Sequence, residues 1–305
     1  MNVGTNVGLG LPIGDPAALL TWARRADAGP FSTLGLLDRL VYDNPEPLVA
    51  LSVLAGATTR IRVQTEVLLA PLRDTALLAK QAATLDRMTG GRLTLGLGIG
   101  GRDDDHRATG TDPRTRGRRL DGQMATMCRL WHGEPFDDGD DDGDGIGVGV
   151  GVGVGVGVGV GPIGPVPARL GGPEILFGGF KPAALERVAR WGDGFLAAAA
   201  PSWAGGLFDT VRGFWKEYGR DGEPRLVAQV NVALGPRHVL DDARARMHAY
   251  YAFTGMPDRM VAGLLTTPAE IRAALTGFAD LGADEVMLYC YGLDPDQVDR
   301  LADVV

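Results

Sequence analysis

Residues 267–291 read TPAEIRAALTGFADLGADEVMLYCY, one helical pattern followed by one strand-like run. Ile271, Ala274, Leu275, Phe278 and Leu281 recur at three- and four-residue steps, which gathers them on one face of a helix. Thr267-Pro268 opens that helix and Gly282 closes it. Glu285–Tyr291 then turns continuously apolar, as a strand buried on both faces does. The same alternation runs through the chain. Strand-like runs at Asn2–Leu9, Phe31–Leu37, Ile61–Leu69, Arg92–Ile99, Pro173–Phe177, Gly194–Ala199, Leu226–Leu234 and Glu285–Tyr291 are separated by helical patterns near 15–28, 45–58, 74–89, 113–132, 182–192, 202–219 and 239–254, besides 268–281, and a last helix starts near 295. Eight strand–helix units in 305 residues fit a closed (β/α)8 TIM barrel better than an open doubly wound sheet, so residues 1–305 are read as a single domain.

The composition supports a sizeable core, with 45% hydrophobic and 22% charged residues. With 30 Lys and Arg against 38 Asp and Glu, the net charge of −8 opposes a main role in gripping nucleic acid or an anionic membrane. Only Lys80, Lys181 and Lys216 of those cations are lysines, a skew with no functional implication. Cys128 and Cys290 form no paired motif, which suits a reducing compartment. No basic residue precedes Arg24 and no run of about 18 apolar residues occurs, so a soluble cytoplasmic protein is expected.

Residues 137–168 interrupt the order as a low-complexity insertion, with six Asp between Asp137 and Asp144 and a Gly-Val alternation from Gly147 to Gly161. Alternate glycines leave one strand face without side chains to pack. A solvated excursion and an active-site lid or edge ribbon both fit. Asp138, Asp140, Asp142 and Gly143 match the opening of a calcium loop, but Gly149 stands where a bidentate Glu must close it. No metal-ligand spacing occurs elsewhere, so no metal is assigned.

Gly96, Gly98 and Gly101 spell G-x-G-x-x-G, yet they lie largely inside a strand and a polar loop, Arg102–Asp112, follows; a dinucleotide site is not the expectation. At the C-terminal end of a barrel strand, such glycines let a flat ring approach the backbone. In Gly178-Gly179-Phe180-Lys181-Pro182, a strand ends in glycines and Pro182 takes a first helical turn. Free N–H groups and Lys181 there would hold a phosphate, and a plain tight turn is the alternative. Asp38, Arg39, Glu66, Asp104, His106, Tyr289 and Tyr291 are polar candidates at strand ends. Arg114, Arg116, Arg118 and Arg119 crowd a helix start, where either carboxylates such as Asp112 and Asp121 or an anionic ligand must compensate them.

Ala70-Pro71-Leu72-Arg73, Leu78–Asp86, Gly90–Gly98, Thr115–Arg119, Gly178-Gly179 and Arg190–Gly194 together resemble the bacterial luciferase-like family of flavin- and F420-dependent oxidoreductases. The resemblance spans nearly all of the chain outside about 137–168. It implies a luciferase-like TIM barrel that binds reduced FMN or coenzyme F420 at its C-terminal face, often as a homodimer. Carried over by position, Asp38 lies near the ring, Glu66–Val67 corresponds to a strand-3 bulge that commonly holds a cis peptide, Gly98, Ile99 and Gly100 line the ring, and Gly178 and Gly179, with Phe180 and Lys181, form the phosphate loop. Arg39 replaces a His found in many members, and Gly101 stands where the sugar-phosphate dehydrogenases place a catalytic Glu. Asp38, Arg39, Glu66 and His106 are the catalytic candidates, with Glu66 and His106 as proton handlers because a guanidinium is a poor base.

The expected function is a flavoprotein oxidoreductase: a monooxygenase that uses reduced FMN from a separate reductase and O2 on a small organic substrate. Two alternatives stand beside it, F420-dependent hydride transfer without O2 and a non-catalytic flavin-binding barrel.

Overall fold

The strand-like runs place apolar side chains on both faces, which only a sheet covered by helices on one side and filled on the other can bury. In this computed structural model, which describes residues 5–136 and 161–305, they form eight parallel strands. These are β1 (Asn6–Gly10), β2 (Thr33–Leu36), β3 (Arg62–Thr65), β4 (Leu93–Gly98), β5 (Glu174–Gly178), β6 (Gly194–Ala197), β7 (Arg225–Val232) and β8 (Glu285–Cys290). Each pairs with its successor, and Val7 of β1 opposite Val286 of β8 closes the ring. The fold is the closed (β/α)8 TIM barrel expected from the sequence.

Around the sheet run α1 (Pro16–Ala28), α2 (Pro47–Gly56), α3 (Thr75–Met88), α4 (Asp103–Thr109), α5 (Arg116–Trp131), α6 (Pro182–Trp191), α7 (Pro201–Glu217), α8 (Arg237–Tyr251), α9 (Pro257–Val261), α10 (Pro268–Asp280) and α11 (Asp296–Ala302). Local chemistry starts them: Asp15, Glu46 and Asp74 cap α1, α2 and α3 with their carboxylates, and Thr267 with Glu270 makes a capping box on α10. Ile271 and Phe278 face the core from α10, as the three- and four-residue spacing requires. No helix among the described residues is long and apolar enough to cross a membrane.

Three boundaries depart from the sequence pattern. The run Ile61–Leu69 is two pieces, β3 and a short Leu68–Leu69 segment paired to Leu97 and Gly98, separated by a cis Glu66–Val67 peptide. The loop expected at Arg102–Asp112 contains α4, whose first turn carries Asp103, Asp104 and Asp105 where the helix dipole favours acids. Helix α9 also lacks the apolar period that would announce it. Of the insertion, Gly161–Pro162 pairs antiparallel with Pro135–Phe136, and Lys80 and Arg87 of α3 donate to the carbonyls of Gly164 and Val166. The calcium-like carboxylates and the Gly-Val run up to Val160 lie outside the described residues.

The lumen is filled by opposing glycines and bulky side chains on neighbouring strands. A Cβ on Gly8 would overlap the Met287 thioether, one on Gly10 the Tyr289 ring, and one on Gly35 the Glu66 carboxyl. At the N-terminal end, Arg62 and Arg225 meet Glu174 at 3.1 and 2.5 Å, and Arg225 and Ser32 both donate to Glu285. Gly10→Ala is expected to cost about 1–3 kcal/mol in denaturant unfolding, because the Tyr289 Cα itself stands 2.9 Å from the added methyl and rotating the ring gives no relief. Gly56→Ala, on α2 with nothing within 4 Å, should be neutral or stabilising in the same assay.

Candidate active site

Where β3 ends, the cis Glu66–Val67 peptide turns the two side chains into different surroundings. Val67 packs among glycines: a Cβ on Gly98 would come 2.5 Å from its Cγ2, and one on Gly178 3.3 Å from its Cγ1. This glycine–valine surface at the ends of β3, β4 and β5 is an apolar platform from which no glycine side chain projects, continued by half-buried Ile99 and Gly100. The cis bond implied for this bulge by the family resemblance is present.

Glu66 turns into the lumen against Gly35. Its Oε1 accepts from Gln64 Nε2 at 3.0 Å, while Oε2 is buried without a partner. Burial pushes the carboxyl up to about 8, outweighing the Gln64 hydrogen bond that favours the anion; the Glu285 charge adds to the rise. At neutral pH it is therefore mostly a neutral acid, a proton donor in a dry place.

Asp38 and Arg39, side by side after β2, serve different partners. Asp38 Oδ2 accepts from the Leu69 N–H at 2.8 Å and from Arg73 at 2.6 Å, and Arg73 also reaches Glu46 at 3.0 Å. This ties the loop after β2 to the strand-3 bulge. Arg39 is buried, bonding Asp105 at 2.7 Å and Asp104 at 3.3 Å, while Asp105 Oδ1 accepts from the Leu40 and Val41 amides. Burial raises the Asp105 carboxyl, but its Arg39 hydrogen bond and the Val41 amide more than offset this and hold it below the usual range. His106 is fully buried: Nδ1 pairs with Thr111 Oγ1 at 2.8 Å, and Nε2, without a partner, fills the space a Gly100 side chain would need.

Across the platform, β5 runs into Gly178 and Gly179, the latter at φ 154°, and Pro182 opens α6 as the sequence pattern indicates. No side chain caps α6; Pro182 has no N–H and the Ala184 and Leu185 amides turn back to the Lys181 carbonyl, which leaves the Ala183 N–H for an anion beside exposed Lys181. Phe180 stacks on Trp203 with ring centres 4.9 Å apart. The crowded arginines are compensated unevenly: Asp112 binds Arg114 at 2.9 Å, whereas Asp121 turns away to Arg187 at 2.7 Å.

A match to the luciferase-like monooxygenase family covers residues 3–284. The chain belongs to this family. An uncharacterized protein of Mycobacterium tuberculosis is 31% identical over 220 residues, 70% of each chain. Among solved structures, an F420-dependent secondary alcohol dehydrogenase in complex with an F420-acetone adduct superposes with a TM-score of 0.81 at 17% identity, covering 99% of this chain and 98% of the other. The monooxygenase RslO1 from Streptomyces bottropensis does so at 0.74 and 20%, covering 98% and 97%. At these identities the two structures share the fold.

Sequence reasoning did not assign Gln64, Arg73 or Asp105, the residues that orient Glu66, Asp38 and Arg39. Arg73 stood in a motif without a role, and Asp105 sat in an acidic triplet read as loop. The raised Glu66 carboxyl sets a pH dependence: between the ordinary carboxylate value of 4.5 and about 8 the folded state holds a proton the unfolded chain has lost, so stability falls as pH rises through that window. Glu66→Gln should remove this slope, gaining on the wild type by a few kcal/mol between pH 5 and pH 8.5 in thermal unfolding.

Proposed function

We propose that this chain is a monooxygenase that uses reduced FMN, supplied by a separate reductase, to oxygenate a small organic substrate. The observation that carries this is the Glu66 carboxyl buried in the lumen with Oε2 unpartnered, where burial favours the protonated form, beside an Arg39 guanidinium locked to Asp105. Taking a hydride from an alcohol needs a base for the hydroxyl proton; neither group accepts one, and His106, the other expected proton handler, is fully buried against Gly100 with its Nδ1 held by Thr111. Delivering a proton to a reduced oxygen atom needs a dry neutral acid, which Glu66 is.

The residues present fit the cofactor. The Val67, Gly98 and Gly100 surface suits a flat ring, and the uncapped α6 start with Gly178, Gly179 and Lys181 suits a terminal phosphate. When bound, reduced FMN supplies the electrons that activate dioxygen. Glu66 holds the proton at Oε2, Gln64 orients that carboxyl, and Asp38 with Arg73 positions the bulge. Arg39 and His106 shape the loops around the platform, and Phe180 on Trp203 shields the phosphate end from water.

The test is an anaerobic titration of the purified chain with reduced FMN and, in parallel, with F420. Saturable binding of reduced FMN, followed by substrate-dependent O2 consumption, is the expected result, with Lys181→Ala weakening FMN about tenfold. Preference for F420 overturns the proposal in favour of hydride transfer, and binding without turnover across a broad substrate panel leaves a flavin-binding barrel.

Homodimer formation belongs to the same proposal. Helices α2 and α3 leave Val49, Val53, Leu77 and Met88 exposed around an apolar cleft of about 420 Å³, and a second copy offers the matching apolar patch by two-fold symmetry. Sedimentation should give a dimer that Val53→Asp converts to monomer; a monomeric wild type refutes it.

A further inference from the structure

Between the C-terminal ends of β1, β2 and β8 and helix α8 lies a second cleft, of about 270 Å³, that the cofactor platform does not use. Its walls include the rings of Tyr42, Tyr250, Tyr289 and Tyr291, with Arg246 and Asp43 also lining it. We propose that this cleft is the substrate subsite and that it takes a neutral, single-ring aromatic compound bearing an oxygen acceptor, such as an aryl ketone or aldehyde. The proposal rests on the monooxygenase assignment above and adds the class of substrate.

Four observations converge on that class. The rings are locked by one another: Tyr42 meets Tyr250 edge-on at 5.5 Å, Tyr250 meets Tyr251 edge-on at 4.9 Å, and Tyr289 lies 6.2 Å from Tyr291. Such preset faces and edges suit a further ring over an aliphatic group of equal size. Size agrees, since a dry cavity of about 150 Å³ holds benzene, leaving room here for a ring and a short substituent.

The polar groups specify the substituent. The Tyr289 hydroxyl and Arg246 Nε are buried without partners, so the cleft offers unmet donors. Burial lifts the Tyr289 hydroxyl well above its ordinary value, with Tyr250 and then Glu66 adding to the rise, so it keeps its proton and donates. Charge then sets the sign. Arg39 lies 5.6 Å from the Tyr42 ring centre and Arg102 5.0 Å from that of Tyr250, an unfavourable setting for an ammonium ligand despite the aromatic walls. Against a carboxylate stand Asp43 at the exposed edge, Asp242 3.6 Å from the Arg246 guanidinium, and the Asp104 and Asp105 partners of Arg39, which leave these cations largely compensated.

Calorimetric titration of the full chain with acetophenone, and with cyclohexyl methyl ketone as an aliphatic match in size, tests the proposal. Acetophenone should bind saturably and about tenfold tighter than the aliphatic ketone. Tyr289→Phe and Arg246→Met should each weaken acetophenone by roughly tenfold through loss of a donor; if the buried Tyr289 variant does not fold, the half-exposed Arg246 variant carries the comparison. Equal affinity for the two ketones, or unchanged acetophenone binding in Arg246→Met, overturns the subsite. A parallel titration with reduced FMN separates the two claims. Normal FMN binding without acetophenone binding defeats the subsite alone, and acetophenone binding without FMN binding defeats the monooxygenase assignment instead.

Discussion

An eight-stranded barrel closes around a space no wider than the side chains that fill it, and in this chain the filling is asymmetric. Gly8, Gly10 and Gly35 give up their side chains so that Met287, Tyr289 and Glu66 can enter from the neighbouring strand. That exchange decides what reaches the C-terminal end. A Cβ on Gly35 would evict the Glu66 carboxyl, and one on Gly98 would push Val67 off the platform, so the chemistry of the face depends on residues that contribute no side chain to it.

The two ends of the lumen treat charge in opposite ways. At the N-terminal end the glutamates that enter the lumen have guanidinium partners: Glu174 takes Arg62 and Arg225, and Glu285 takes Arg225. Such pairing leaves little free reactivity and suits a structural role. At the other end Glu66 Oε2, His106 Nε2 and the Tyr289 hydroxyl are buried without partners. Buried polar groups left unpaired are costly, and they concentrate where binding or proton transfer can complete them.

How legible this was follows from distance along the chain. The helix at Pro268–Asp280 was readable from a local period and a local cap, and the α6 start from Pro182 and two glycines. The eight strands were readable because burial on both faces leaves continuous apolar runs. Periodicity could not show that Ile61–Leu69 breaks at Glu66–Val67, since a cis peptide leaves no mark in the order of polar and apolar residues; only the family resemblance pointed there. The partners of the site residues were out of reach. Arg73 lies 35 residues from Asp38, and Asp105 66 from Arg39, so their pairing exists only once the barrel has closed.

The small antiparallel ladder between Pro135–Phe136 and Gly161–Pro162 brings the two ends of a repetitive stretch side by side on the outside of the barrel. Beyond it, Lys80 and Arg87 hold the returning chain on α3. A stretch whose ends are already clasped can change length without altering the spacing of the elements on either side, and doubling a loop adds only about 0.6 kcal/mol of closure entropy. Repeat number in the Gly-Val tract is thereby uncoupled from the catalytic scaffold, so slippage during gene copying meets little resistance from folding.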